Sequence, residues 1–281
     1  MTDTNHPILV GYLANEQGRS AVALGSALAR SLGAPLEIVM VTGRYPTPIV
    51  ERQMSTWLGD ALALVPTGVT AQARLVEGRP SAKALADTAQ DLGCQLIVVG
   101  SAESSLLTRM LAGSVSQALL AGSPVPVAVA PLRFSDSGPV SRITCMYDPQ
   151  HGDFQLFRYA LERAIEMGVE LRVVTLDVGD DIKGSPGAHP DAANSLRRLG
   201  IDVDGLVRGG HLSFLKATGQ NTPRAIAELT WREGEVTMIG STREAADGRV
   251  SAGPFATKLI SYIPTPIVMA TAGQLVLPGT R

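Results

Sequence analysis

Two glycines and two serines are the residues here whose types and spacing suggest chemistry. Gly100 ends the apolar run "LIVVG", and after a polar stretch Gly113-Ser114-Val115-Ser116 opens a helical pattern that reaches about Leu120. Backbone N–H groups at a helix start, small residues that let a ligand approach, and two hydroxyls close together are the chemistry of phosphate binding. The same small residues also suit tight packing of a loop on a sheet, and the spacing alone fits both readings. Gly240 and Gly253 repeat the glycine pair later in the chain. Other candidates are weak. His6, His151, His189 and His211 are scattered without partners at metal-ligand or triad spacing, and Cys94 and Cys145 stand alone as buried free thiols. Asp180-Asp181 reads as solvated loop, and Trp57 and Trp231 as packing anchors on helices. No nucleophile has a base beside it.

The elements that must position the glycines occur twice. "SPVPVAVA" (Ser123 to Ala130) recurs as "IPTPIVMA" (Ile263 to Ala270), and Gly100 recurs as Gly240. Upstream, "PILVGYL" answers "SRITCMY", so the second copy carries extra residues, placed by composition in "DVGDDIKGSPGAHPD" (Asp177 to Asp191). The first copy has apolar runs at Ile8–Gly11, Leu36–Val41, Val69–Val76, Leu96–Val99 and Val125–Ala130, which read as central parallel strands buried on both faces. Ala21, Leu24, Leu28 and Leu32 fall at helical spacing before Gly33, and Phe154, Phe157, Leu161 and Ile165 before Gly168. Pro80 opens a helix over 81–92 and Pro223 one over 224–232. Strands alternating with helices predict two doubly wound α/β domains, about 1–135 and 141–281, joined by "LRFSDSGPVS". Each is a five-stranded parallel sheet in order 3-2-1-4-5 with helices on both faces, and any ligand lies beyond the strands' carboxyl ends.

Composition narrows the partners. Lys and Arg number 24 against 26 Asp and Glu, and aromatics are 4% of residues, which leaves neither an electrostatic footprint nor a stacking platform for nucleic acid. No apolar stretch approaches the ~20 residues that cross a bilayer, and the first residues lack a signal-peptide pattern, so a cytoplasmic protein without membrane contact is expected.

With these residues in view, the chain resembles a tandem universal stress protein. The family signature is a glycine, two residues, a second glycine, nine residues, then Gly-Ser or Gly-Thr, with a Pro-Val strand behind it. In the first copy Gly100, the spacer 104–112, "GSVS" and "SPVPVAVA" fit, while Glu103 replaces the middle glycine. In the second, Gly240 and Gly253 fit, Arg243 replaces the middle glycine, and "GPFA" replaces "GSVS". The resemblance implies adenine-nucleotide sites made of Gly100, Gly113, Ser114, Val115 and Ser116 in the first copy and, more weakly, Asp148, Gly240 and Gly253 in the second. ATP-binding members also resemble one another in an Asp at the end of the first strand; Leu13 stands there in the first copy and Asp148 in the second. Neither copy holds the full set, so weak or absent ATP binding is expected, with no other cofactor and no metal.

The resemblance implies a non-enzymatic stress-response module. An ATP-using or ATP-hydrolysing member of the same fold is the alternative, with Glu103 and Asp148 its only candidate carboxylates. A ligand-free interaction scaffold is the third reading. By analogy with family dimers, the last strand of each copy should meet at a pseudo-two-fold interface, the tandem replacing a homodimer; pairing of tandems into larger homodimers stays open.

Overall fold

The structure is a computed structural model that describes residues 6–43, 46–101, 115–135, 138–147, 154–178, 192–197, 200–241 and 249–270. The first half runs β1 (Ile8–Gly11), α1 (Glu16–Leu32), β2 (Leu36–Thr42), α2 (Pro48–Ala63), β3 (Ala71–Glu77), α3 (Ser81–Asp91), β4 (Leu96–Gly100), α4 (Val115–Leu120) and β5 (Val127–Ala130). The second half runs β6 (Arg142–Met146), α5 (Phe154–Met167), β7 (Glu170–Val178), α6 (Ala192–Arg197), α7 (Val203–Arg208), β8 (Leu212–Gly219), α8 (Thr222–Ala227), β9 (Glu235–Gly240), α9 (Pro254–Ile260) and β10 (Ile267–Ala270).

Each half has the expected parallel order, and the two sheets merge into one. The strands lie in the order β3-β2-β1-β4-β5-β10-β9-β6-β7-β8. Every neighbouring pair is parallel except the seam, where Val129, Ala128 and Val127 of β5 pair antiparallel with Ile267, Val268 and Met269 of β10. Strand pairing thereby covers two edges that would otherwise be open. Successive side chains alternate between two apolar cores, one on each face of the sheet. Ile8, Val10, Ala128 and Val268 face α1, α2 and α5, while Leu9, Val127, Val129 and Met269 face α3, α4, α8 and α9.

The local reasons are legible in most elements. Asn15 caps α1 by accepting the Gly18 N–H at 3.1 Å, Leu24 and Leu28 bury its inner face, and Gly33 ends it at φ 63°, a left-handed position where glycine lacks the Cβ penalty. The linker is tied to this helix, since Ser31 Oγ accepts the Val140 N–H at 2.8 Å.

Several expectations need correction. The run Val69–Val76 is β3, which begins at Ala71, forms a sheet edge and is only partly buried; Gln72 and Arg74 alternate with its apolar residues and Glu77 ends it. Val125–Ala130 narrows to β5 from Val127. Pro80 caps α3 in extended backbone, outside the first helical turn. The helix expected over 224–232 is Thr222–Ala227 and stops before Trp231, which lies in a loop with the Arg172 guanidinium 5.2 Å from its ring centre. Ile165 is 62% exposed; the buried stripe of α5 is Leu156, Phe157, Ala160, Leu161 and Ala164. Trp57 is 37% exposed on α2, so it anchors little. Of the loop 177–191, Asp177 and Val178 belong to β7, and 179–191 lie outside the described residues.

A polar cluster closes the amino ends of β6, β7 and β9. The Glu235 carboxylate is fully buried and pairs with Arg142 at 2.6 Å and Arg172 at 2.7 Å, while the Thr144 hydroxyl donates to it. Both guanidiniums also donate to the Thr230 carbonyl, at 2.9 and 2.8 Å, which pins the loop before β9.

Candidate functional site

A cavity of about 320 Å³ opens beyond the carboxyl ends of β1 and β4. Strand order reverses between these two strands, the place where doubly wound sheets leave a crevice for ligands. Gly11, Tyr12 and Leu13 come from the end of β1, Gln17 and Gly18 from the first turn of α1, and Val39 and Val41 from β2. Ser81 and Leu85 of α3, Val99 and Gly100 of β4, and Val115 and Ser116 of α4 complete it.

Close packing dictates the glycines of this crevice. A Cβ on Gly100 would lie 2.0 Å from the Gln17 carbonyl oxygen, and one on Gly18 would lie 1.7 Å from that of Leu13. On Gly11 it would meet Leu85 Cδ1 at 2.9 Å. The first turn of α1 therefore rests directly on the ends of β1 and β4.

The crevice is apolar in character. None of its described lining residues carries a formal charge; the polar handles are the Gln17 amide, the Ser81 and Ser116 hydroxyls and the Tyr12 phenol. Burial raises the Tyr12 pKa, against the opposing Arg19 charge and with a smaller push from Asp60, so the phenol stays neutral at physiological pH. Leu13 stands half exposed at the mouth. Ser116 is buried, with the body of α4 behind it.

Of the residues singled out in the sequence, Gly100, Val115 and Ser116 come together on this cavity, with Leu13 beside them. Gly113, Ser114 and Glu103 lie outside the described residues, as do Asp148 and Arg243. Tyr12, Gln17, Ser81 and Leu85 were not singled out. Their signal was positional: Tyr12 follows the end of the first strand, Gln17 is the second residue of α1, and Ser81 starts α3.

The second half differs at the equivalent place. Gly240 ends β9, but a Cβ there would meet Leu156 Cδ2 of α5 at 3.2 Å, so a leucine side chain stands beside this glycine where the first half has helix backbone. Gly253 caps α9 in extended backbone with no side-chain cap bond, and Pro254 follows with no N–H to offer. Ser241, next to Gly240, accepts the Ser251 N–H at 2.6 Å and folds the loop onto itself.

His6 bonds to the Gly93 carbonyl at 3.1 Å on the surface, and His211 is exposed. Among the described residues no group of His, Cys, Asp and Glu could hold a metal, and no helix is long and apolar enough to cross a membrane.

Comparison with known proteins extends the sequence resemblance. The model of the universal stress protein family matches residues 4–131. A universal stress protein of Mycobacterium tuberculosis H37Rv is 29% identical over 298 residues, covering 97% of this chain and 99% of that protein. A universal stress protein of Archaeoglobus fulgidus DSM 4304 superposes with a TM-score of 0.63 at 19% identity, covering 95% of this chain and 96% of that one. One from Pseudomonas aeruginosa UCBPP-PA14 gives 0.60 at 15% identity over 95% and 93%. The first half thus matches the universal stress protein family model, and the doubled α/β layout with its crevice at the β1/β4 reversal is similar over nearly the whole chain to these universal stress proteins.

Proposed function

We propose that the chain is a non-enzymatic stress-response module of two domains, residues 1–135 and 141–281, whose first-half crevice binds adenine nucleotide weakly and whose second site binds it no better. The observation that carries this reading is the crevice wall: apolar, without a charged side chain among its described lining, and with Leu13 where ATP-binding relatives resemble one another in an aspartate. Phosphates in such a site depend on N–H groups and hydroxyls alone, and Glu103, which replaces the middle glycine of the signature, would add like charge, about 1 kcal/mol at 4 Å in water and about 4 at intermediate dielectric. For the second half the scaffold reading is the stronger one, supported by Leu156 beside Gly240 and by Pro254, which lacks a donor. The reading keeps the chain in the cytoplasm, without nucleic-acid or membrane partners, and treats the pairing of halves as standing in for a homodimer.

Titration calorimetry with ATP and magnesium tests it. The expected dissociation constant lies above about ten micromolar, with no turnover in a phosphate-release assay and no nucleotide retained through purification. Binding tighter than that overturns the weak-site reading, and sustained turnover moves the chain to the enzyme alternative.

A further inference from the structure

One wall of the crevice is held from the other half of the molecule. The α4 helix presents Val115 and Ser116 to the cavity and, about 6 to 8 Å further along its axis, ends at Leu120. There the second half takes hold of it. The Val250 N–H donates to the Ser123 carbonyl at 2.7 Å, and the Ala252 N–H to the Leu120 carbonyl at 3.0 Å. Arg249 Nη1 donates to the Gly122 carbonyl at 3.2 Å. Val250 is fully buried in the process. The end of a helix leaves carbonyls that need donors, and part of the supply here comes from the opposite half.

The grip is shaped by one hydroxyl. Ser241 accepts the Ser251 N–H and faces the Ser251 and Arg249 carbonyls at 3.0 and 3.4 Å, which bends 249–252 outward from β9 toward α4. In sequence this stretch occupies the place of the second copy's phosphate loop.

We infer that residues 249–252 are a positioning element for the first half's crevice: they fix the far end of α4 and so set the wall that Val115 and Ser116 offer a ligand. The described residues of α4, Val115–Leu120, take their place from tertiary contacts. Leu119 and Leu120 anchor it to the core, and the grip at 120–123 prevents it from pivoting about that anchor. The second half thus contributes to the first half's site without lining it. This inference rests on the proposed function only in calling the crevice a ligand site.

The test uses the full ligand-free chain with Ser241→Ala and Arg249→Ala, read by hydrogen exchange and methyl NMR. In the wild type the Val250 and Ala252 amides should exchange at least about a hundredfold slower than an open loop. Ser241→Ala should lose about tenfold or more of that protection. The Val115 and Leu85 methyl signals should shift or broaden, while those of Met54 and Leu58 on the opposite face stay in place, and Arg249→Lys should retain the wild-type spectrum. Should Ser241→Ala not fold, the exposed Arg249→Ala carries the same comparison. Open-loop exchange in the wild type, protection that survives both substitutions, or lost protection with unmoved Val115 and Leu85 methyls would each overturn the inference. No nucleotide enters these readouts, so failure of ATP binding bears on the proposed function alone.

Discussion

Arg172 and Glu235 form a 2.7 Å ion pair with both side chains almost closed to water. Arg142 takes the other carboxylate oxygen, so one buried anion holds two cations and, through them, the loop before β9. Glu235→Ala removes the carboxylate that both guanidiniums pair with and should cost about 3 to 5 kcal/mol, read from the shift of a urea transition. A loss under about 1 kcal/mol would mean that water reaches the cluster.

The glycines separate into those that packing requires and those it does not. Gly100→Ala should destabilise the chain by about 2 kcal/mol or more, since its Cβ would overlap a backbone oxygen that cannot step aside. Gly59, within α2, has nothing within 4 Å of a Cβ, and Gly59→Ala should stabilise by about 0.5 to 1 kcal/mol. Thermal unfolding of the pair checks both signs.

Burial pushes the Cys145 thiol up to about 12, and burial followed by the Glu37 charge does the same for Cys94. At pH 8 the reactive thiolate is scarce, so a bulky disulfide reagent should label both about a thousandfold more slowly in the native chain than after denaturation. Because folding favours the neutral thiol, this contribution is intact below the unfolded value near 9 and is lost as pH rises toward 12.

At Glu170 the balance runs the other way. Partial burial pushes its pKa up, but the Ser213 hydroxyl and the Arg232 and Arg142 charges together bring it below the ordinary 4.5. The folded state favours the carboxylate, so its stabilisation is present above pH 4.5 and fades as pH falls below it. Between pH 6 and 3 the urea midpoint of Glu170→Gln should decline less steeply than that of the wild type; parallel curves would contradict the assignment.

Restoring family features to the first crevice should recover affinity. Leu13→Asp with Glu103→Gly, each removing an obstacle of about 1 to 2 kcal/mol, should tighten ATP binding by roughly ten- to a thousandfold in calorimetry. Unchanged binding would favour the scaffold reading.

Strand order and the glycine positions were legible because they rest on short-range physics: apolar runs too short for helices, and residues without a Cβ at strand ends. Gly100 shows where that stops. Its type marked a place of close approach, but only the fold reveals that helix backbone makes the approach. Ile165 and Trp57 misled because helical spacing identifies a face and not which neighbour covers it. The grip of 249–252 on α4 joins residues more than a hundred positions apart, and no local pattern encodes such a pairing.

The antiparallel seam also decides how the two copies could be joined as one chain. Reversing direction at β5 and β10 brings the carboxyl edge of the first half alongside the amino edge of the second. From Ala130 to Arg142 the chain passes β10 and β9 sideways, about 14 Å at ordinary strand spacing, and need not climb the height of the sheet. Its residues could reach more than twice that distance when extended. A seam of the opposite sense would have added the height of the strands to that span. Two separate single-domain proteins meeting through this seam could be fused by a dozen residues without disturbing either fold.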